Sequence, residues 1–321
     1  MGKSRAAESA SKSTARGVRI KTITNYELRI TNFVQLFVVL CLLCVFAGNF
    51  HAQNNYFIIE EKDILLSNLQ SLIKDGTVEG KRDALLRVRN LESAEFSRLA
   101  IPALRDSSEI VRASAASSVV FLPKEEAAPA LLPLLNDKSA FVRREAAYAL
   151  GKVRNPSAVN PLSQILQKDK IPEVQSAAAI ALGEIGDAGA VDVLTQVLQK
   201  KSKAEDEFLR RGAARSIGQI AQIILSGETE VITPADFSSK EIDKPKRANL
   251  AETFPSFRAA VGVLTQTLQN PKEFPDVKRE AAFALGAIGD KSAIPVLQAN
   301  LNNADYYLAE ICREALRKIS G

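Results

Sequence analysis

The stretch Val142-Arg143-Arg144-Glu145-Ala146-Ala147-Tyr148-Ala149-Leu150-Gly151 decides the fold, together with its continuation through Asn155-Pro156 and Ala158-Val159-Asn160-Pro161-Leu162 to Ile165-Leu166. Apolar residues at offsets 0, 4, 8 and 11 from Val142 place one stripe on one face of a helix. The paired alanines favour helix and let a neighbour approach closely. Asn155-Pro156 is a turn, and a second apolar helix comes after it. The unit recurs. Val111-Arg112 is followed by Ala115-Ala116, Val174-Gln175 by Ala178-Ala179 and Leu182-Gly183. Leu209-Arg210 is followed by Ala213-Ala214 and Ile217-Gly218, and Val277-Lys278 by Ala281-Ala282 and Leu285-Gly286. Ile311, followed by Ala315-Leu316, reads as a degenerate last copy. Anchors 111, 142, 174 and 209 are 31, 32 and 35 residues apart, and 277 to 311 is 34. A period of this size is the signature of a helical solenoid, whose repeats bury their apolar faces only by stacking on neighbours.

The glycine after each leucine stands near a helix end, where close approach or a left-handed cap is easiest. Gly186-Asp187 and Gly289-Asp290 make the turns. Pro129, Pro161 and Pro295 are expected in the first turn of the following helix, where no intrahelical donor is lost. Helix pairs are expected at about 94–121, 125–153, 157–185, 188–224, 256–288 and 291–319. An atypical capping pair over Phe57–Leu91 precedes them, giving about seven pairs.

Asp106…Val111-Arg112, Asp137…Val142-Arg143, Asp169…Val174 and the Leu-Gly…Gly-Asp turns resemble the HEAT-like repeats of the phycobilisome-lyase type. The resemblance covers roughly residues 80 to 319, and more weakly 57 to 80. It implies an all-α, right-handed α-solenoid used mostly for protein binding, with the second helix of each pair lining the concave face. Some relatives of that type attach bilin chromophores, and other HEAT-type proteins are hydroxylases or DNA glycosylases.

Charge narrows the function. The formal net charge is +5. Residues 1–47 hold seven of the 42 basic and two of the 37 acidic residues, which leaves 35 of each in residues 48–321. A neutral repeat domain without tryptophan argues against a phosphate-backbone binder or a glycosylase, so no nucleic-acid partner is expected. Residues 1–32 read as a basic, disordered n-region. Phe33 to Ala47 is an uncharged apolar run broken by Gln35, suited to a signal-peptide h-region, with cleavage expected after Ala47 or, more weakly, Ala52. The alternative is an uncleaved inner-membrane anchor at 33–47. On this reading residues 53–321 are exported to the periplasm or envelope, and any membrane contact is through the N-terminal segment.

The single histidine, His51, precedes the repeats, and Cys41 and Cys44 lie in the apolar run. Cys312 is expected as a small core residue. The repeats lack a nucleophile elbow, a phosphate-cradling loop and metal-ligand spacing. HEAT-type hydroxylases use His-Glu pairs for iron, and no such pair stands in these repeats. No catalytic residue, metal or cofactor is therefore expected.

From Leu209 to Val277 the step is 68, about two periods, yet only one further first helix, near Phe257–Leu268, is visible. The surplus, about 226–256, carries prolines 234, 245 and 255 and reads either as a functional loop or as a tolerated insertion. Arg112, Arg143, Arg210 and Lys278 come directly after the anchors. Asp106 and Asp137 are placed to cap helices and pair with arginines of neighbouring repeats. The variable offset +6 gives Ser117, Tyr148, Ile180, Arg215 and Phe283, and offsets +2 and +3 give Arg144, Glu145, Arg211, Arg279 and Glu280. Tyr148, Ile180, Arg215, Phe283, Arg144, Arg211 and Arg279 are the candidate partner-binding residues, aromatic and Arg in character as at binding hot spots. The expected function is a non-enzymatic scaffold for a protein or peptide partner. The alternative is chromophore attachment in the manner of the phycobilisome lyases.

Overall fold

A computed structural model describes residues 61–227 and 249–320. The n-region, the apolar run with its export reading, His51, Cys41 and Cys44, and positions 228–248 of the surplus segment lie outside the described residues. Residues from Asn68 onward form one compact unit. Among the described residues all regular structure is helical, and no helix is long and apolar enough to cross a membrane.

Seven helix pairs succeed one another. They are α1 (61–75) with α2 (Val78–Asn90), α3 (Ala94–Arg98) with α4 (Glu109–Ser118), and α5 (Lys124–Leu131) with α6 (Ala140–Val153). Next come α7 (Val159–Lys168) with α8 (Pro172–Ile185) and α9 (Val191–Gln199) with α10 (Glu207–Ser226). A short α11 (Leu250–Thr253) precedes α12 (Pro255–Gln269) with α13 (Pro275–Ile288), and α14 (Ile294–Ala299) pairs with α15 (Tyr306–Ser320). This is an α-solenoid. The second helices pack in series, α2 on α4, α4 on α6, α6 on α8, α8 on α10, α10 on α13 and α13 on α15.

Small residues make that series possible. The stripe Val111, Ala115, Ala116 and Val119 is buried, as are Val142, Ala146, Ala147 and Leu150. The repeat glycines sit inside the helices, at crossings. A Cβ on Gly151 would lie 2.8 Å from the Ala181 Cα, and one on Gly218 would lie 2.7 Å from the Phe283 ring. The glycines that end helices are Gly186 and Gly289, both at φ 79°, and Gly227 at φ 66°. Asp187 and Asp290 accept hydrogen bonds from the backbone N–H groups of Gly189 and Ser292, closing the turns.

The structure corrects the sequence reading at four places. Pro129 lies inside α5 and not in its first turn; lacking an N–H, it is followed within a few residues by a tighter 3-10 segment, Leu132–Asn136. Pro161 and Pro295 do fall in first turns. The surplus is shorter than 226–256, because α10 runs through Ser226, α11 buries Leu250 and Ala251, and Pro255 opens α12. The last repeat is not degenerate. Its anchor is Leu308, buried where Ile311 is not, and Cys312, Ala315 and Ile319 complete its stripe at offsets 4, 7 and 11. Phe283 is fully buried against Gly218 and belongs to the α10–α13 contact, because a glycine opposite leaves room for an aromatic ring.

Candidate surface on the second helices

The loop before each second helix is held by a ladder of ion pairs. Asp106, Asp137 and Asp169 accept hydrogen bonds from the backbone N–H groups of Ser108, Ser139 and Ile171. Each is also gripped by the preceding repeat: Lys81 to Asp106 at 2.8 Å, Arg112 to Asp137 at 2.7 Å, Arg143 to Asp169 at 2.7 Å. Arg112 also donates to the Asp106 and Ser107 carbonyls, so one guanidinium ties two repeats together. Gln175 keeps the carbonyl bond, to Asp169, in the place of an arginine. Arg210 and Glu273 carry the same connection from α10 to the loop before α13 and are almost wholly buried. At the next step Arg279, not Lys278, meets the carboxylate, that of Asp305 at 2.9 Å. The Arg112 hydrogen bond outweighs burial and holds the Asp137 carboxyl below its usual range. At Asp305 burial opposes ionisation, but Arg279 and backbone N–H groups prevail and its pKa is lowered.

Position −1, immediately before each anchor, faces away from this ladder and from the core. It carries Ile110, Phe141, Glu173, Phe208, Asp276 and Tyr307. Phe141 is 41% exposed, Phe208 69% and Tyr307 67%. Each of these rings carries an arginine. Arg144 stands over Phe141 at 5.1 Å, Arg211 over Phe208 at 5.3 Å and Arg279 over Tyr307 at 5.3 Å. The first two pairs are i,i+3 on one helix, and the third joins α13 to α15. Tyr306 packs edge-on to Tyr307. Such cation–π contacts hold a flexible guanidinium over a rigid ring and expose both.

Helical spacing extends the same face to the sequence candidates. Phe141, Arg144 and Tyr148 share one side of α6, and Phe208, Arg211 and Arg215 one side of α10. Tyr148, Ile180 and Arg215 are half-buried on it, and Phe283 is beneath it. Arg144 is held by Glu145 at 2.9 Å and Arg211 lies 3.4 Å from Asp276. Glu280, four residues after Asp276, is 8% exposed, and its Oε2 has no hydrogen-bond partner. Burial pushes its carboxyl up to about 7, against the pull of Arg215 and Arg211.

The −1 row is what sequence reasoning missed. Phe141 and Phe208 stand directly before assigned anchors, so the signal was present. Tyr307 was hidden by placing the last anchor at Ile311.

Stacked helix pairs with this ladder define an α-solenoid of the HEAT type. A HEAT-repeat family model matches residues 97–175, 159–233 and 242–317, and the chain belongs to the HEAT-repeat family. It is 27% identical over 256 residues to deoxyhypusine hydroxylase-B of Oryza sativa subsp. japonica, covering 73% of this chain and 84% of that one. It is 40% identical over 88 residues to a deoxyhypusine hydroxylase of Arabidopsis thaliana, 27% of this chain and 28% of that one. A crystal structure of an engineered protein superimposes with a TM-score of 0.50 at 22% identity, over 80% of this chain and 68% of that one, a likeness of fold alone.

These relatives bear the name of an enzyme, which overturns the expectation of a non-enzymatic scaffold. The repeat pattern encodes architecture, which enzymes and binders share, so it could not separate the two. The His-Glu iron set of HEAT-type hydroxylases has no counterpart among the described residues. They contain no histidine, and no three His, Cys, Asp or Glu side chains lie together as metal ligands. That donor set does not fit such an iron.

Proposed function

We propose that this chain engages a polypeptide substrate along the first turns of its second helices, through the Arg–aromatic pairs Arg144–Phe141, Arg211–Phe208 and Arg279–Tyr307. The observation that carries this reading is the exposure of three rings, each under an arginine, directly before the anchors of three of the six second helices α4 to α15. A partner that covers these rings removes apolar surface from water, which is favourable. Aromatic and Arg side chains are also the residue types that contribute most at interfaces. The relatives' name specifies chemistry on a modified amino acid, and an enzyme of that kind needs a surface that holds the polypeptide around its target.

Ion-pair repeats and neutral overall charge in residues 48–321 favour an amino-acid polymer over a phosphate polymer. Selection of random dodecapeptides displayed on their encoding messenger RNA, against the full chain, tests the reading. Recurrent peptides are expected, and the triple variant Phe141→Ala, Phe208→Ala, Tyr307→Ala should bind them at least about tenfold more weakly with helicity and Tm unchanged. Peptides that bind the triple variant equally well, or no enrichment at all, would overturn it.

A further inference from the structure

Glu280 on α13 and Arg215 on α10 lie within electrostatic reach of each other where the two helices pack, and neither has a hydrogen-bond partner among the described residues. Glu280 is nine-tenths buried and its Oε2 accepts no hydrogen bond. Arg215 is half-buried and makes no hydrogen bond or ion pair with a described residue, although it acts electrostatically on Glu280. Arg211 adds a second positive charge beside them, stacked on Phe208. A buried polar oxygen without a partner costs about 1–3 kcal/mol. Such a group calls for an explanation, and a bond supplied by a ligand is one.

The charged groups acting on Glu280 are Arg215 and Arg211 of α10 and Asp276 of α13 itself. The other helices packed on α13, α12 and α15, contribute none. Asp276 is already engaged by Arg211 and Arg279, so it does not neutralise Arg215. When Glu280 is protonated, Arg215 is left as an uncompensated cation beside a carboxyl O–H donor. Those two donors match the two oxygens of a carboxylate.

We propose that Arg215 and Glu280, with Arg211 beside them, form a subsite for an acidic side chain of the bound polypeptide. The ligand carboxylate accepts one hydrogen bond from the Arg215 guanidinium and one from the protonated Glu280 carboxyl. Binding therefore takes up one proton from solvent at Glu280 whenever that carboxyl starts ionised. The subsite rests on the polypeptide-binding reading and gives it a chemical preference.

Octa-aspartate labelled with fluorescein is the probe, titrated with the full chain and read by anisotropy at pH 6 and pH 8. Its own carboxyls are ionised at both values. Only the fraction of chain with Glu280 protonated is competent, so the wild-type Kd should be about tenfold tighter at pH 6. Glu280→Gln keeps a donor at all pH values; its Kd should be independent of pH and close to the wild-type value at pH 6. Arg215→Ala should weaken binding at least about tenfold at pH 6. A wild-type Kd equal at the two pH values would overturn the subsite, as would a Glu280→Gln variant that keeps the pH dependence of the wild type. If octa-aspartate fails to bind while peptides selected by display do bind, the subsite is wrong and the polypeptide reading survives. If the selection also yields nothing, both fall.

Discussion

A side chain one residue ahead of a buried helical anchor points away from the core, and a residue there is free to serve something other than folding. Phe141, Phe208 and Tyr307 occupy that position. Sequence alone singled out offset +6 as variable, with offsets +2 and +3 nearby, and Tyr148, Ile180 and Arg215 at +6 do lie half-buried on this face. Phe283 does not, because its environment depends on Gly218 of another helix, about 65 residues away, and no local pattern reports that. Glu280 likewise reads as an ordinary helix-surface residue until α10 is packed against it. Its raised pKa has a consequence for stability. Unfolded, the carboxyl ionises near its ordinary value; folded, only near 7. The penalty is absent below the unfolded value, grows between the two, and is fully present above 7. Glu280→Gln should therefore nearly match the wild type in urea unfolding near pH 4.5 and exceed it by about 3 kcal/mol at pH 8. A variant no more stable at pH 8 would mean that the carboxylate is better solvated than its burial implies.

At the scale of helices and their connections, the repeat stripe was legible in every copy but the last. The alanine pairs, the Gly-Asp turns and the role of Asp106 and Asp137 all derive from residue type and spacing. The identity of the ladder's partners was less legible. Lys81 takes the arginine's place in the capping repeat, and Arg279 displaces Lys278, because reach and geometry across a loop decide which cation meets the carboxylate. Arg112 and Asp137 are both about nine-tenths buried as side chains. Removing one partner leaves an uncompensated charge, so Arg112→Leu should cost about 3 kcal/mol in urea unfolding. Arg82→Ala, which removes an exposed pair with Asp83, should stay within about 0.5 kcal/mol. Glycines divide in the same way. Gly218→Ala puts a Cβ 2.7 Å from the Phe283 ring and 3.0 Å from the Ala284 Cα, and should cost about 1–3 kcal/mol. Gly262→Ala, in α12 with nothing within 4 Å, should stabilise by about 0.5–1 kcal/mol through helix propensity. Thermal melts of the two variants, shifting in opposite directions, check this.

For the whole molecule, a period of 31–35 residues sufficed to place seven pairs in the right order, since each repeat contacts mainly its neighbours. One register error at Ile311 hid an aromatic position without disturbing the architecture. Function was less accessible for the same reason that the fold was easy. The residues repeated in every unit serve stacking, and the residues that distinguish one repeat from another, where recognition is proposed, keep no period. The proposed polypeptide surface rests on residues of the second kind. The most direct measurement is hydrogen–deuterium exchange of the full chain with and without a display-selected peptide. Protection is predicted in the first turns of α6 and α10 and at the α13–α15 junction, around Phe141, Phe208, Arg279 and Tyr307, with the first helices of each pair unchanged. Protection confined to α5, α7, α9 and α12 would place the polypeptide on the other layer and contradict the account.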